Sequence, residues 1–425
     1  MVRVEGTSFS TQQLAAVVVT AAENSRKLNT QAANIAQLRV SNMKLHGRDD
    51  DIKLLRSKLR ELAKNIQKDD NEEHAAQNNN DRHAEDESNL NKQSTNDNLI
   101  LVAGTSGTGK SALIRKGLGE PAAKNGYAFA SGKFDEKSLR PLSAFSDAMT
   151  SLAKRIMVDN NEEERSSTAT LIRDKIRDEF DEEDREQLRR VLPGCAKLLG
   201  LGKRRHSLLS PSDAGKGALV RSASDYELNS LFLQAGKESI SQMHYAIRRL
   251  LRVICSNLKG VILFIDDLQW SDTATLDLLK SIALDGEISS LLIVGAYRED
   301  EVPDHHPLIL HIRDLEQMNV SITKMKIGNL SVDNVVYLVA EALGMEDDDI
   351  KVKSLAETIH KKTEGNPFFV LMFLRSLHDE KLLQYNVGAM KWTWDDEAVN
   401  SKIVTENVAS ILVSKMNRHE NYPAD

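Results

Sequence analysis

The chain has 425 residues, 40% hydrophobic and 28% charged, with a formal net charge of -7. That length predicts a main domain with one or two satellites, and the acidic balance argues against a surface built throughout for nucleic acid, though a local basic patch stays open. No apolar run reaches the ~18 residues of a membrane span, and the short stretch Leu14 to Ala22, preceded by Arg3 and Glu5, fits a secretory leader poorly. Cys195 and Cys255, the two cysteines of the chain, lack metal-ligand spacing, so neither a zinc site nor a disulfide framework is expected. An intracellular, reducing compartment follows, the cytoplasm first and the nucleus second.

Between Ser8 and His46 no glycine or proline intervenes, and Leu14, Val18, Ala21, Leu28, Ala32 and Ile35 recur at helical spacing. This predicts an N-terminal amphipathic helix within 1–43. A helix lying on the main domain outweighs a coiled-coil partner, because Ser25 interrupts the seam. A second helix is expected from Asp50 to about Ile66. The segment QKDDNEEHAAQNNNDRHAEDESNLNKQSTNDN then has almost nothing to anchor a core and reads as a disordered insertion over about 67–97.

Order resumes at Asn98 with LILVA, a glycine-rich loop, and the helical stretch SALIRKGL closed by Gly119. Further apolar runs, YAFA at Tyr127, VILFI at Val261 and LLIVGAY at Leu291, are separated by helical patterns, which predicts a parallel sheet covered on both faces. The fold class expected is therefore α/β, a P-loop NTPase of three αβα layers around a central parallel sheet. From Ile156 to Tyr226 acidic and basic blocks alternate over a length unusual for a strand crossover, and this reads as a second, partly disordered insertion at about 157–226.

The motif GTSGTGKS, comprising Gly104, Thr105, Ser106, Gly107, Thr108, Gly109, Lys110 and Ser111, fits the pattern G-x-x-x-x-G-K-[ST] and sits between a predicted strand and a predicted helix. Its glycines let backbone amides approach phosphate oxygens, and the helix N-terminus that continues through Ala112 adds positive potential. Lys110 can reach the β- and γ-phosphates, and the Ser111 hydroxyl can ligate Mg²⁺.

The run VILFIDDLQWSD places Asp266 and Asp267 at the C-terminal end of a buried strand, where open α/β sheets bind ligands. Asp266 is the expected metal carboxylate beside Ser111, and Asp267 the expected orienter of an attacking water. Arg298 closes the next strand, LLIVGAYRED, and is the candidate sensor of the γ-phosphate, against a plainer reading as a surface arginine paired with Glu299 or Asp300. No [NT]-K-x-D stretch of the guanine-reading kind is present, which favours ATP over GTP.

Together these motifs resemble the origin-recognition-complex-like AAA ATPase domain that overlaps the STAND class of signalling ATPases. HGRDDDI at His46 resembles the family's opening motif beside the adenine, SGKFDEKSLRPLSAFSDA its second-strand region, DDLQWSD its Walker B region and AYREDEV its sensor strand. EGNPFFV at Glu364 resembles its glycine-x-proline lid motif. The resemblance implies nucleotide contacts from Gly47, Arg48, Gly365 and Pro367. It also implies an ATPase domain over 44–328, a helical lid over 329–384 and a winged-helix-like segment over 385–425 that contains Trp392 and Trp394. The Asp-Asp ending of the Walker B strand and the arginine ending of the sensor strand depart from replication-type members and favour the signalling class.

Three functions stay open at this level. The first is a slow ATP-hydrolysing conformational switch in signalling or assembly, with ATP and Mg²⁺ as cofactors and protein partners reached through the N-terminal helix or the C-terminal segment. The second is a non-hydrolysing nucleotide-binding scaffold. The third is a DNA-associated ATPase of the replication type, resting on the winged-helix-like tail and the basic run at Lys203 to Arg205.

Overall fold

The computed structural model describes residues 3–4, 7–8, 38–39, 43–77, 98–137, 140–157, 164–202, 237–288 and 290–402. They belong to two compact units, Arg48–Gly328 and Met1–Gly47 with Asn329–Asp425.

The unit Arg48–Gly328 is built on five parallel strands: β1 (Leu99–Gly104), β2 (Ala128–Lys133), β3 (Val261–Asp266), β4 (Leu291–Arg298) and β5 (Ile322–Lys326), in the order β2-β3-β4-β1-β5. Strands β1 and β3 are buried at every position, and β4 over its first six. Successive side chains point to opposite faces, so such burial means that both faces of the sheet are covered, which gives the expected αβα layers. Three of the strands coincide with the apolar runs YAFA, VILFI and LLIVGAY. β5 has no such run, since it is an edge strand that buries only Met325 fully and exposes Lys324 and Lys326.

Helix α1 (Asp49–Gln77) runs beyond the expected end at Ile66. Gly119 also fails to close the helix after the glycine loop. That helix begins as α2 (Lys110–Ile114), passes through a π turn at Arg115–Gly119 and continues as α3 (Glu120–Lys124). Gly119 keeps a helical φ of -62°, and the reversal comes at Gly126, with φ 77°. The widened turn presents Gly117 to α1, where an added Cβ would stand 2.7 Å from Leu55 Cδ1.

The second insertion contains α5 (Glu164–Glu179) and α6 (Glu182–Val191), which follow α4 (Ser143–Met157). Ile172, Ile176, Phe180, Leu188, Val191 and Leu192 lie in the same buried cluster as the strands. Over 164–202 the segment read as a partly disordered insertion is thus helical and packed on the core. Apolar residues spaced four apart make a helical stripe however charged the rest of the segment is. Asp181 caps α6 by accepting from Asp184 N at 2.7 Å. The layers are completed by α7 (Lys237–Cys255), α8 (Thr273–Ala283) and α9 (Pro307–Gln317).

The other unit contains α10 (Val332–Leu343), α11 (Ile350–Thr363) and α12 (Pro367–Asp379), then a hairpin of β6 (Leu383–Asn386) and β7 (Lys391–Trp394) and the short α13 (Asp396–Ser401). Val335, Val339, Leu355, Ile359, Phe373 and Trp392 form its core. Trp392 Nε1 donates to the Leu343 carbonyl at 2.8 Å, which satisfies the buried indole and fixes the hairpin on α10. Near the N-terminus Arg3–Val4 pairs antiparallel with Thr7–Ser8, and most of the expected amphipathic helix lies outside the described residues. The same holds for residues 78–97, 203–236 and 403–425 of the expected insertions and tail. Among the described residues no helix is long and apolar enough to cross a membrane.

Candidate functional site

Strand register gathers the predicted site residues of the Arg48–Gly328 unit at one edge of its sheet. Gly104 at the end of β1 pairs with Arg298 at the end of β4, and Lys133 at the end of β2 pairs with Asp266 at the end of β3. All four stand at carboxyl ends of parallel strands, the edge at which open α/β sheets bind their ligands.

Between β1 and α2, residues Thr105 to Gly109 form a tight loop. Gly109 adopts φ 91° and ψ 20°, a left-handed conformation open to glycine at no cost, and a Cβ added there would meet nothing within 4 Å. Open space therefore lies beside the Gly109 backbone, where a ligand could approach. Gly104 is required for a different reason: an added Cβ would stand 2.4 Å from the Ile327 carbonyl oxygen. Thr108 is 1% exposed and its hydroxyl donates to the Thr105 carbonyl at 2.9 Å, holding the crest. Thr105, Ser106 and Ala112 are exposed.

Lys110 folds back under the loop, its Nζ donating to the carbonyls of Gly104 at 2.8 Å and Thr105 at 2.9 Å. Burial, assisted by Arg298, holds its ammonium below the usual lysine range against the opposing pull of Asp267 and Asp266. A cation so placed, buried and bonded to main-chain carbonyls, is available to an anion that enters the cradle.

Ser111 Oγ donates to Asp266 Oδ2 at 2.6 Å, so the hydroxyl and carboxylate expected at a metal already share one corner. The other oxygen, Oδ1, accepts from Asp267 N at 3.1 Å. Asp267 is 4% exposed and sits at φ 55°, ψ 47°, a left-handed conformation costly for a residue other than glycine, asparagine or aspartate. Its Oδ2 lies 2.9 Å from Lys133 Nζ, and its Oδ1 accepts from Gln269 Nε2 at 3.2 Å and faces Arg298 Nε at 3.6 Å.

Arg298 pairs with Glu301 at 2.6 Å rather than with Glu299 or Asp300, and its guanidinium lies over the Trp270 ring with 4.8 Å to the centroid. The turn Glu299–Glu301 explains this choice, because it returns the third residue to the strand end. Its backbone N–H donates to Gln269 Oε1 at 3.1 Å, so one glutamine amide ties Asp267 to the end of β4. Lys133 and Gln269 escaped the sequence reading. Only the register of β2 against β3 could have pointed to Lys133.

Arg48 is buried at the start of α1, and its guanidinium is directed to the carbonyls of Thr108 and Gly328. Gly47, Gly365 and Pro367 belong to the other unit. There His46 pairs with Glu341 on α10 at 2.5 Å, Gly365 accepts from Leu330 N at 2.8 Å, and Pro367 opens α12 behind Asn366, whose side chain caps Phe368 N at 3.1 Å.

A central parallel sheet whose first strand leads through a glycine loop into a helix bearing Lys110 and Ser111, with Asp266 on a neighbouring strand, defines a P-loop NTPase fold. The sequence profile of the AAA ATPase domain family matches residues 88–294, a stretch that contains the glycine loop and Asp266. Hybrid signal transduction histidine kinase G of Dictyostelium discoideum is 23% identical over 381 residues, covering 75% of this chain and 10% of that protein. The chain thus spans about a tenth of that relative's length. Solved structures similar to it include a Walker-type ATPase of Pyrococcus abyssi (11% identity, TM-score 0.35, 76% of this chain and 70% of that one). Cdc6p of Pyrobaculum aerophilum is another (11%, 0.35, 66% and 55%), as is the ORC2 protein of Aeropyrum pernix in ADPNP–ADP complexes (11%, 0.38, 73% and 62%).

Proposed function

We propose that this chain binds ATP with Mg²⁺ and hydrolyses it slowly, and that the bound nucleotide sets the conformation of a signalling or scaffolding assembly of the STAND type. The observation that carries this reading is the corner formed by the cradle, Lys110 and the 2.6 Å pair of Ser111 and Asp266. Among the described residues no group of three or more His, Cys, Asp or Glu could hold a metal. A site of one hydroxyl and one carboxylate suits Mg²⁺, which keeps few protein ligands and takes the rest from phosphate and water. The ion would neutralise developing charge on the phosphate oxygens. Ser111 and Asp266 would hold it, Lys110 would answer the β- and γ-phosphates in place of its carbonyl partners, and the loop amides would accept the anion.

Asp267 follows Asp266 at the end of β3 and is free of the metal role, and it would take the proton of an attacking water. The 23% likeness to a signalling kinase over three quarters of the chain supports the signalling side. A non-hydrolysing scaffold is the second reading, and the engagement of both Asp267 oxygens by Lys133, Gln269 and Arg298 favours it. Titration with ATP and Mg²⁺, beside phosphate release, on wild type and Asp267→Asn separates the two. Turnover in wild type with binding but no turnover in the variant supports the switch. Binding without turnover in both selects the scaffold, and absence of binding in wild type ends both.

A further inference from the structure

The guanidinium of Arg48 touches main chain at two places. Nη2 donates to the Thr108 carbonyl at 3.1 Å and to the Gly328 carbonyl, while Nη1 faces Asp51 Oδ2 at 4.0 Å. Arg48 is 9% exposed, and burial holds its pKa below the usual arginine value against the pull of Asp51. A charge this desolvated is retained where it satisfies buried acceptors, and only a planar fork reaches two carbonyls and a carboxylate at once.

The two acceptors differ in what they control. The Thr108 carbonyl and the Gly109 N–H belong to one peptide group, which is planar and trans, so they point in opposite directions. Holding the carbonyl on one side aims the amide to the other, at a residue whose φ of 91° leaves that peptide free to turn. Gly328 is the last residue of its unit as Arg48 is the first, so both points at which the chain leaves this unit meet at one guanidinium. The preceding residue, Ile327, donates to the Ala103 carbonyl at 2.8 Å, and its own carbonyl bars any side chain at Gly104. The beginning of the glycine loop thus rests directly on Ile327, and its crest reaches Gly328 through Arg48.

We propose that Arg48 is a positioning residue that aims the Gly109 amide into the phosphate cradle and couples the state of that loop to the Ile327–Gly328 exit. Arg48 therefore acts on the phosphates through the loop, in place of the direct nucleotide contact its motif implied. This rests on the nucleotide-binding reading above. Rotation of the Gly109 peptide toward or away from a ligand breaks or makes the Thr108 bond to Arg48, and the other acceptor of the same nitrogen, Gly328, gains or loses its share.

The test uses the full chain as wild type, Arg48→Met and Arg48→Lys, with Mg²⁺ and ATP as the probe. Hydrogen exchange is followed at residues 107–110 and 326–330. Wild type should show ATP-dependent protection of both segments. Arg48→Met should bind ATP about tenfold more weakly, exchange faster at 326–330 without nucleotide, and lose the ATP-dependent protection there. Arg48→Lys should recover part of the affinity and little of the coupling, because its shorter stem ends the ammonium short of the position from which Nη2 reaches both carbonyls. Wild-type affinity together with wild-type protection in Arg48→Met overturns the proposal. Complete loss of binding with exchange unchanged at 326–330 also overturns it, by making Arg48 a direct ligand. If wild type binds no ATP the functional reading falls, and the nucleotide-free exchange still judges the clamp: equal rates in wild type and Arg48→Met reject it. Should Arg48→Met fail to fold, Arg48→Lys carries the same comparisons.

Discussion

Lys133 Nζ stands 2.9 Å from Asp267 Oδ2, at the ends of adjacent strands whose register was invisible until β2 and β3 were paired. Asp267 is almost wholly buried and Lys133 is 61% exposed on its side chain. An ammonium stands at one oxygen and Gln269 and Arg298 at the other, so a water must displace one of these partners to meet the carboxylate. A pair with one solvent-exposed partner is worth at most about 1 kcal/mol. Lys133→Met is therefore expected to raise the rate of phosphate release at saturating ATP by about two- to fivefold and to leave ATP affinity within about twofold. Steady-state phosphate release reads both quantities. A fall in rate would give Lys133 a supporting part in turnover and remove the restraint argued here.

Ser111 and Asp266 share a short hydrogen bond that a divalent ion between them would replace. Asp266→Asn keeps the shape of the corner and removes its charge; with the amide oxygen accepting from Asp267 N, the amide NH2 would donate to Ser111 Oγ and reverse that bond. ATP affinity in the variant should become nearly equal in Mg²⁺ and in EDTA, whereas wild type binds more tightly with Mg²⁺. Turnover should fall by about a hundredfold or more. Titrations in the two buffers decide the matter: an unaltered Mg²⁺ dependence in Asp266→Asn places the metal elsewhere.

The parts of the fold that could be read from the chain are those in which residue type alone determines the physics. A loop of Gly104, Gly107 and Gly109 before Lys110 is legible because few other sequences let backbone approach an anion, and LILVA, VILFI and LLIVGAY are legible because strands buried on both faces must be continuously apolar. β5 was not, since an edge strand with exposed Lys324 and Lys326 carries half the signal. The helices of the second insertion were hidden by composition, the apolar stripe Ile172, Ile176, Phe180 being diluted among charges. At the site, the place of Asp267 at the end of β3 was legible and its ion-pair and hydrogen-bond partners were not. Lys133 and Gln269 reach it through register and a turn, and the motifs that contain them give neither a role there.

Phe180 gives the insertion a quantitative test. It is 1% exposed, and the Arg249 guanidinium lies over its ring at 4.4 Å from the centroid. Truncation of a buried phenylalanine costs about 3–5 kcal/mol through lost transfer energy and the cavity left behind. Phe180→Ala is expected to destabilise the chain to that extent in urea unfolding followed by circular dichroism, with α5 and α6 exchanging amide hydrogens much faster. A loss below about 0.5 kcal/mol, the range of ordinary surface changes, would mean that the insertion contributes nothing to the core.

Cys195 and Cys255 are the two thiols of the chain, and both are buried in the main unit. Burial pushes each up to about 12, partly offset at Cys255 by Ser290. At pH 8 only about one thiol in ten thousand is then ionised, and thiolate is the reactive form. Native protein should react with a thiol-exchange reagent orders of magnitude more slowly than a free cysteine, and protein in denaturant should titrate two groups at once. The two positions report on different openings, since Cys195 follows the insertion helices and Cys255 ends α7. In Phe180→Ala, Cys195 is expected to become reactive ahead of Cys255, because α5 and α6 lose their anchor while α7 stays packed on the sheet. Mass spectrometry of the modified peptides over time distinguishes the order. Simultaneous labelling in that variant would show that insertion and sheet open as one cooperative unit.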